Sequence, residues 1–109
     1  MTEHEFRRIA LSLEGAEEGS HMGHPDFRVG GRIFASLSPD LASGMANLDP
    51  EQQADLRERY PEMFRPASGK WGEGGATMVT LANARADAAG EALTLAHQNR
   101  VRANVKKKK

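Results

Sequence analysis

Asp26-Phe27-Arg28-Val29-Gly30-Gly31-Arg32-Ile33-Phe34-Ala35-Ser36-Leu37 is the stretch on which the fold turns. Residues 26–29 and 32–37 are two short extended runs. The diglycine between them signals a tight hairpin, because both glycines adopt positive φ without a steric penalty. In the second run Ile33, Ala35 and Leu37 alternate with Arg32, Phe34 and Ser36. Phe34 interrupts an otherwise polar face, so it either packs under a helix or lines a groove. Ser38, Pro39 and Asp40 make the next turn. Residues 43–48 read as a further strand, with Met45 pointing inward.

Outward from this hairpin the pattern becomes helical on both sides. Thr2 caps and Glu5 stands three residues on, as in a capping box. Phe6, Ile9, Ala10 and Leu13 follow helical spacing, Arg7 and Arg8 point away, and Gly15 stops a helix predicted over 3–13. Asp49 caps a second helix, Pro50 takes its first position, and Glu51 sits where the helix dipole favours a carboxylate. Ala54, Leu56 and Tyr60 are its apolar side chains. Pro61 ends it or begins a new turn with Glu62, Met63 and Phe64. Residues 65–75 form a loop with four glycines, Pro66 and the only tryptophan, Trp71. Residues 76–81 alternate as a strand. A last helix over 84–100, capped by Asn83, buries Ala89, Ala92, Leu93 and Ala96, while Gly90 weakens it by up to ~1 kcal/mol. Hairpins between segregated helices predict an α+β fold of two layers, an antiparallel sheet with helices packed on one face.

The chain has 109 residues and no cysteine, which excludes disulfides, thiolate zinc sites and a cysteine nucleophile. A chain of this length is expected to fold as one domain, here over 1–101, followed by a disordered basic tail over 102–109. No run approaches the ~18–20 apolar residues of a membrane helix. The first residues lack an export signal, so a cytoplasmic location is expected. Apolar residues make up 39% and charged residues 28% of the chain, a soluble globular composition. Zero formal net charge hides an asymmetry: residues 1–100 hold ten basic and fifteen acidic side chains, and residues 101–109 hold five basic and none acidic.

Several constellations invite a chemical reading. His21-Met22-Gly23-His24 with Asp26 is the most metal-like cluster, but residues three apart on a strand point to opposite faces, so hydrogen-bonding histidines are the better reading. A small-ligand pocket built from His21, His24, Asp26 and Phe34, with Trp71 nearby, is a further candidate. Lys70 and the glycines of residues 69–75 match no phosphate-loop pattern and lead into a strand rather than a helix. No GxSxG surrounds any serine, and Glu17-Glu18 reads as a solvated turn beside His21. No catalytic set emerges, so no enzymatic activity and no cofactor are expected. Arg28 and Arg32 bracket the diglycine bend, where two guanidinium groups at one hairpin tip would hold a phosphate.

Ser20-His21-Met22-Gly23-His24-Pro25-Asp26-Phe27-Arg28-Val29-Gly30-Gly31-Arg32-Ile33-Phe34-Ala35 resembles the central block of the MmcQ/YjbR family. Ala10-Leu11-Ser12-Leu13 with Gly15, Leu48 with Pro50-Glu51-Gln52-Gln53, and Trp71-Gly72 with Gly74-Gly75-Ala76-Thr77 match in order around it. The resemblance implies a small bacterial, cytoplasmic α+β protein shaped like the type III secretion chaperones. It also implies a non-enzymatic, "double wing" mode of DNA binding, with the wing centred on Arg28 and Arg32 and with Lys70 and Trp71 on the neighbouring loop. The chaperone likeness implies instead a protein partner, held on an exposed sheet edge or in a groove lined by Phe34, Met45 and Trp71. Three departures stand out. Ala46-Asn47 replaces the family's common Val-Lys, Leu13-Glu14-Gly15 replaces its Leu-Pro-Gly, and His97 replaces an aromatic residue.

Overall fold

Two of the three predicted helix caps form. Thr2 Oγ1 accepts from the Glu5 backbone N–H at 3.1 Å while the Glu5 carboxylate accepts from the Thr2 N–H, and Asp49 and Gln52 do the same for the second helix. These boxes satisfy donors that a helix start otherwise leaves bare. The computed structural model describes residues 1–107. In chain order the elements are α1 (Glu3–Leu11), β1 (Glu17–His21), β2 (His24–Val29), β3 (Arg32–Leu37), β4 (Ser43–Asn47), α2 (Pro50–Arg59), β5 (Phe64–Pro66), α3 (Gly69–Glu73), β6 (Ala76–Thr80) and α4 (Ala86–Lys107).

The six strands form one antiparallel sheet in the order β1-β2-β3-β4-β6-β5. Gly30 and Gly31 turn the β2–β3 hairpin with φ of 61° and 79°, as the diglycine predicts. The register shifts after Phe27, so that Phe27 opposes Ala35 and Arg28 opposes Ile33, leaving Phe34 as a bulged residue. The bulge resolves the ambiguity over Phe34. Its ring is fully buried and stands edge-on to His97 of α4 at 5.4 Å, beneath the helix layer.

One face of the sheet carries the core. Phe27, Ala35, Leu37, Ala46, Thr77 and Val79 are buried there. Gly44 shares that face, and its lack of a side chain admits the Phe6 ring of α1, which a Cβ would meet at 2.5 Å. α4 supplies Ala88, Ala89, Ala92, Leu93 and Ala96, and α2 supplies Leu56. Gln53 of α2 is buried and donates to Gly72 O, Ala76 O and Thr77 Oγ1, pinning α2 and α3 to β6. The α+β, helix-on-sheet prediction therefore describes the molecule.

Several local expectations are corrected. α1 ends at Leu11, two residues early, where the Ser12 N–H bonds back to Arg8 O. Glu17-Glu18 is not a turn but the start of edge strand β1, and Phe64, assigned to a turn, opens β5. The glycine-rich loop contains α3. Met45, expected to point inward, faces away from the core, because strand alternation gives the core-facing positions of β4 to Gly44 and Ala46. Asn83 lies in a 3-10 turn and donates to Glu62 O rather than capping α4. α4 does not stop at Arg100: residues 102–107, expected to be disordered, continue the helix. Asn104 anchors this extension by donating to Val29 O at 2.9 Å. Lys108 and Lys109 lie outside the described residues. Among the described residues no helix is long and apolar enough to cross a membrane.

Candidate functional site

Among the described residues the second face of the sheet is open over its centre and is approached by α4 only at one side. Strand alternation puts Ser36 of β3, Met45 of β4, Met78 of β6 and Arg65 of β5 side by side on it, because Ser36 opposes Met45, Met45 opposes Met78, and Met78 opposes Arg65. Ile33 and Asn47 lie at one end of this floor. The result is an open groove of about 1110 Å³.

Two walls bound it. The first is the β1–β2 hairpin, with His21, Met22 and His24. The second is the segment from β5 through α3, with Pro66, Lys70 and Trp71, joined by Asn99, Arg100 and Ala103 from the end of α4. Trp71 is 80% exposed and Met22 92% exposed. Both are large apolar side chains held in the open at the rim. Met22 and Gly23 form the two-residue turn between His21 and His24, with φ of 50° and 83°. Such a turn favours Asn, Asp or Gly at both positions, so Met22 holds a left-handed conformation costly to its side chain.

The electrostatics are one-sided. Arg65, Lys70 and Arg100 line the groove, with His21 and His24, and no described carboxylate lines it. Among the described residues none of the three cations pairs with a carboxylate. Arg65 donates to Thr80 Oγ1 at 2.6 Å. The buried atoms Arg100 Nε and His24 Nδ1 have no hydrogen-bond partner among the described residues.

Beside the groove, β1 and β2 carry a polar cluster. Asp26 is fully buried, and Arg28 grips it at both oxygens, at 2.7 and 3.0 Å. His21 Nδ1 lies 2.7 Å from the second oxygen, and the His24 ring stands edge-on to His21 at 4.3 Å. The Arg28 guanidinium, then desolvation acting the other way, then His21 leave the Asp26 carboxyl below the usual carboxylate range. Gly19 makes room for the pair: a Cβ there would stand 2.9 Å from Asp26 Oδ1. Among the described residues no three His, Asp or Glu side chains converge as a metal site.

The structure thus divides the residues singled out in the sequence. His21, His24, Lys70 and Trp71 share the groove. Asp26 stands behind His21 as its partner. Phe34 lies on the opposite face, so the pocket of His21, His24, Asp26 and Phe34 does not form as one site. Arg28 and Arg32 are also separated. Arg32 opposes Val29, whereas Arg28 opposes Ile33, so the two guanidinium groups leave opposite faces, and Arg28 is committed to Asp26. Arg65, Arg100, Met22 and Met78 were not singled out as site residues. Only the tertiary fold brings them to one surface, and the one local signal was a methionine preceding a glycine between two histidines.

Comparison with known proteins accords with this architecture. The chain is similar to Deinococcus radiodurans protein DR2400, whose crystal structure carries a DUF419 domain, at 23% identity and a TM-score of 0.71 over 88% of this chain and 75% of that one. At that identity the likeness is one of fold. No curated protein matches the chain. The YjbR family model matches residues 11–99, the span that holds the hairpins, the methionine floor and the Trp71 rim, and the chain belongs to the YjbR family.

Proposed function

We propose that the protein is a non-enzymatic binding module whose working surface is the methionine groove, and that its partner is a protein. The observation that carries this reading is the uncovered sheet face, floored by Met45 and Met78 and rimmed by exposed Met22 and Trp71. Methionine side chains are flexible and polarisable, and they suit a surface that must mould itself to a partner's apolar side chains. Contiguous exposed apolar surface of this kind marks interaction sites. Among the described residues lining the groove no nucleophile is hydrogen-bonded to a base, so binding rather than turnover is the chemistry it supports.

A second reading, weak nucleic-acid binding, is favoured by the cation-only lining of Arg65, Lys70 and Arg100. The separation of Arg28 from Arg32 moves any such contact from the hairpin tip to this groove. Protein is favoured because, among the described residues, Trp71 and two histidines are the only aromatic rings lining the groove, and single-strand binding rests on successive aromatic platforms. Trp71 is the sole tryptophan and reports occupancy directly. Its emission is followed during titration with an apolar amphipathic peptide and with oligothymidylate at two salt concentrations, using the full chain and a variant with residues 106–109 changed to glutamine. The proposal expects a blue shift with peptide that survives the tail change. A response to oligothymidylate alone, falling steeply with salt, would replace it with the nucleic-acid reading.

A further inference from the structure

Resting on the reading of the groove as a protein-binding surface, we infer that its occupant is an amphipathic helix flanked by carboxylates, gripped between Met22 and Trp71. The backbone groups of the floor are already spent in the β-ladder. An extended segment laid on this face would leave its own N–H and C=O groups unpaired against methionine, whereas a helix satisfies its own. Strands of five and six residues give a floor roughly 17–20 Å long, the length of about 12 helical residues. A helix there adds a third layer to a two-layer sandwich, the arrangement in which both faces of a sheet are covered.

The charge of the occupant follows from the walls. Arg65, Lys70 and Arg100 face the groove without a carboxylate among its described lining residues, on a chain whose first 100 residues hold fifteen acidic and ten basic side chains. Concentrating unpaired cations in an apolar groove of an otherwise acidic protein is what recognition of an acidic partner requires. Met22 supplies the independent observation. Met22 is 92% exposed on a left-handed position, so it carries a backbone cost with almost no burial in the monomer, and a contact made in the complex accounts for that cost.

The test uses a labelled model helix of about five turns with a leucine stripe and glutamate flanks, a twin with lysine at every glutamate, and a scrambled control. The glutamate helix is expected to bind the full chain at least about tenfold more tightly than the lysine twin, with the scrambled peptide weaker still. Lys70→Glu is expected to narrow that preference by at least about threefold. Met22→Asn, which suits the turn, is expected to melt no lower than wild type yet bind at least about fivefold more weakly. Equal binding of the two helices overturns the acidic occupant while leaving the groove as a protein site. Unchanged binding by Met22→Asn overturns the grip. Binding of oligothymidylate with neither helix overturns both this inference and the protein reading beneath it.

Discussion

Asp26, Gly44 and Gln53 show how much of this fold rests on single side chains. In the sequence Asp26 reads as part of a metal-like cluster or a small pocket, but it is buried and clamped by Arg28 and His21. Its folded pKa is lowered from an ordinary value of 3.8, so the ionised cluster stabilises the fold above about pH 4 and that stability is lost as pH falls through the folded value. Thermal melts of wild type and Asp26→Asn between neutral pH and pH 3 check this. The variant is expected to be less stable by about 1–3 kcal/mol at neutral pH and to show a flatter acid limb. Gly44→Ala places a methyl group into the Phe6 ring and is expected to cost about 1–3 kcal/mol in denaturant unfolding. Gln53→Leu fills similar volume but strips partners from Gly72 O, Ala76 O and Thr77 Oγ1, with an expected loss of similar size. The roles of Gly44 and Gln53 are not legible locally, because each depends on residues far along the chain, whereas Asp26 has partners only two and five residues away and is hidden by its burial alone. Met22 was hidden for the opposite reason: the turn it occupies is normally announced by Asn or Asp, so the residue that breaks the local rule also conceals the hairpin.

Elements with strong chain-local signals read correctly. Thr2 with Glu5 and Asp49 with Pro50 announced two helix starts, and Gly30-Gly31 announced the hairpin that sets the sheet. β1 carries Glu-Glu-Gly-Ser-His with no apolar residue, because it is an edge strand that buries no hydrophobic side chain. β5 is three residues long and contains a proline, which an edge strand tolerates. Periodicity has nothing to detect in either. The extension of α4 past Arg100 arises from tertiary anchoring, since Asn104 reaches Val29 O across 75 residues of sequence. Within α4, Gly90 has open space where a Cβ would stand. Gly90→Ala is therefore expected to raise stability by up to about 1 kcal/mol, as read from the unfolding midpoint, with no effect on peptide binding. A loss of stability would show that the helix is bent or packed there in a way the geometry does not contain.

At the scale of the whole molecule the two faces of one sheet do different work. The helix-covered face holds Phe6, Phe27, Phe34 and Leu93 and stabilises the fold, while the opposite face holds Met45 and Met78 beneath an open rim of Met22 and Trp71. Half of this surface was legible: Met45, Lys70, Trp71 and the two histidines were marked in the sequence. The cations that give the groove its sign were not marked, because Arg65 and Arg100 come from β5 and α4, 35 positions apart. The five methionines provide the most direct test of which face binds. Methyl-labelled methionine spectra are recorded while the glutamate-flanked helix is added. The account predicts that Met22, Met45 and Met78 shift together and saturably while Met63, buried in the core, stays in place. Saturable binding that leaves the three groove methionines unmoved would contradict it.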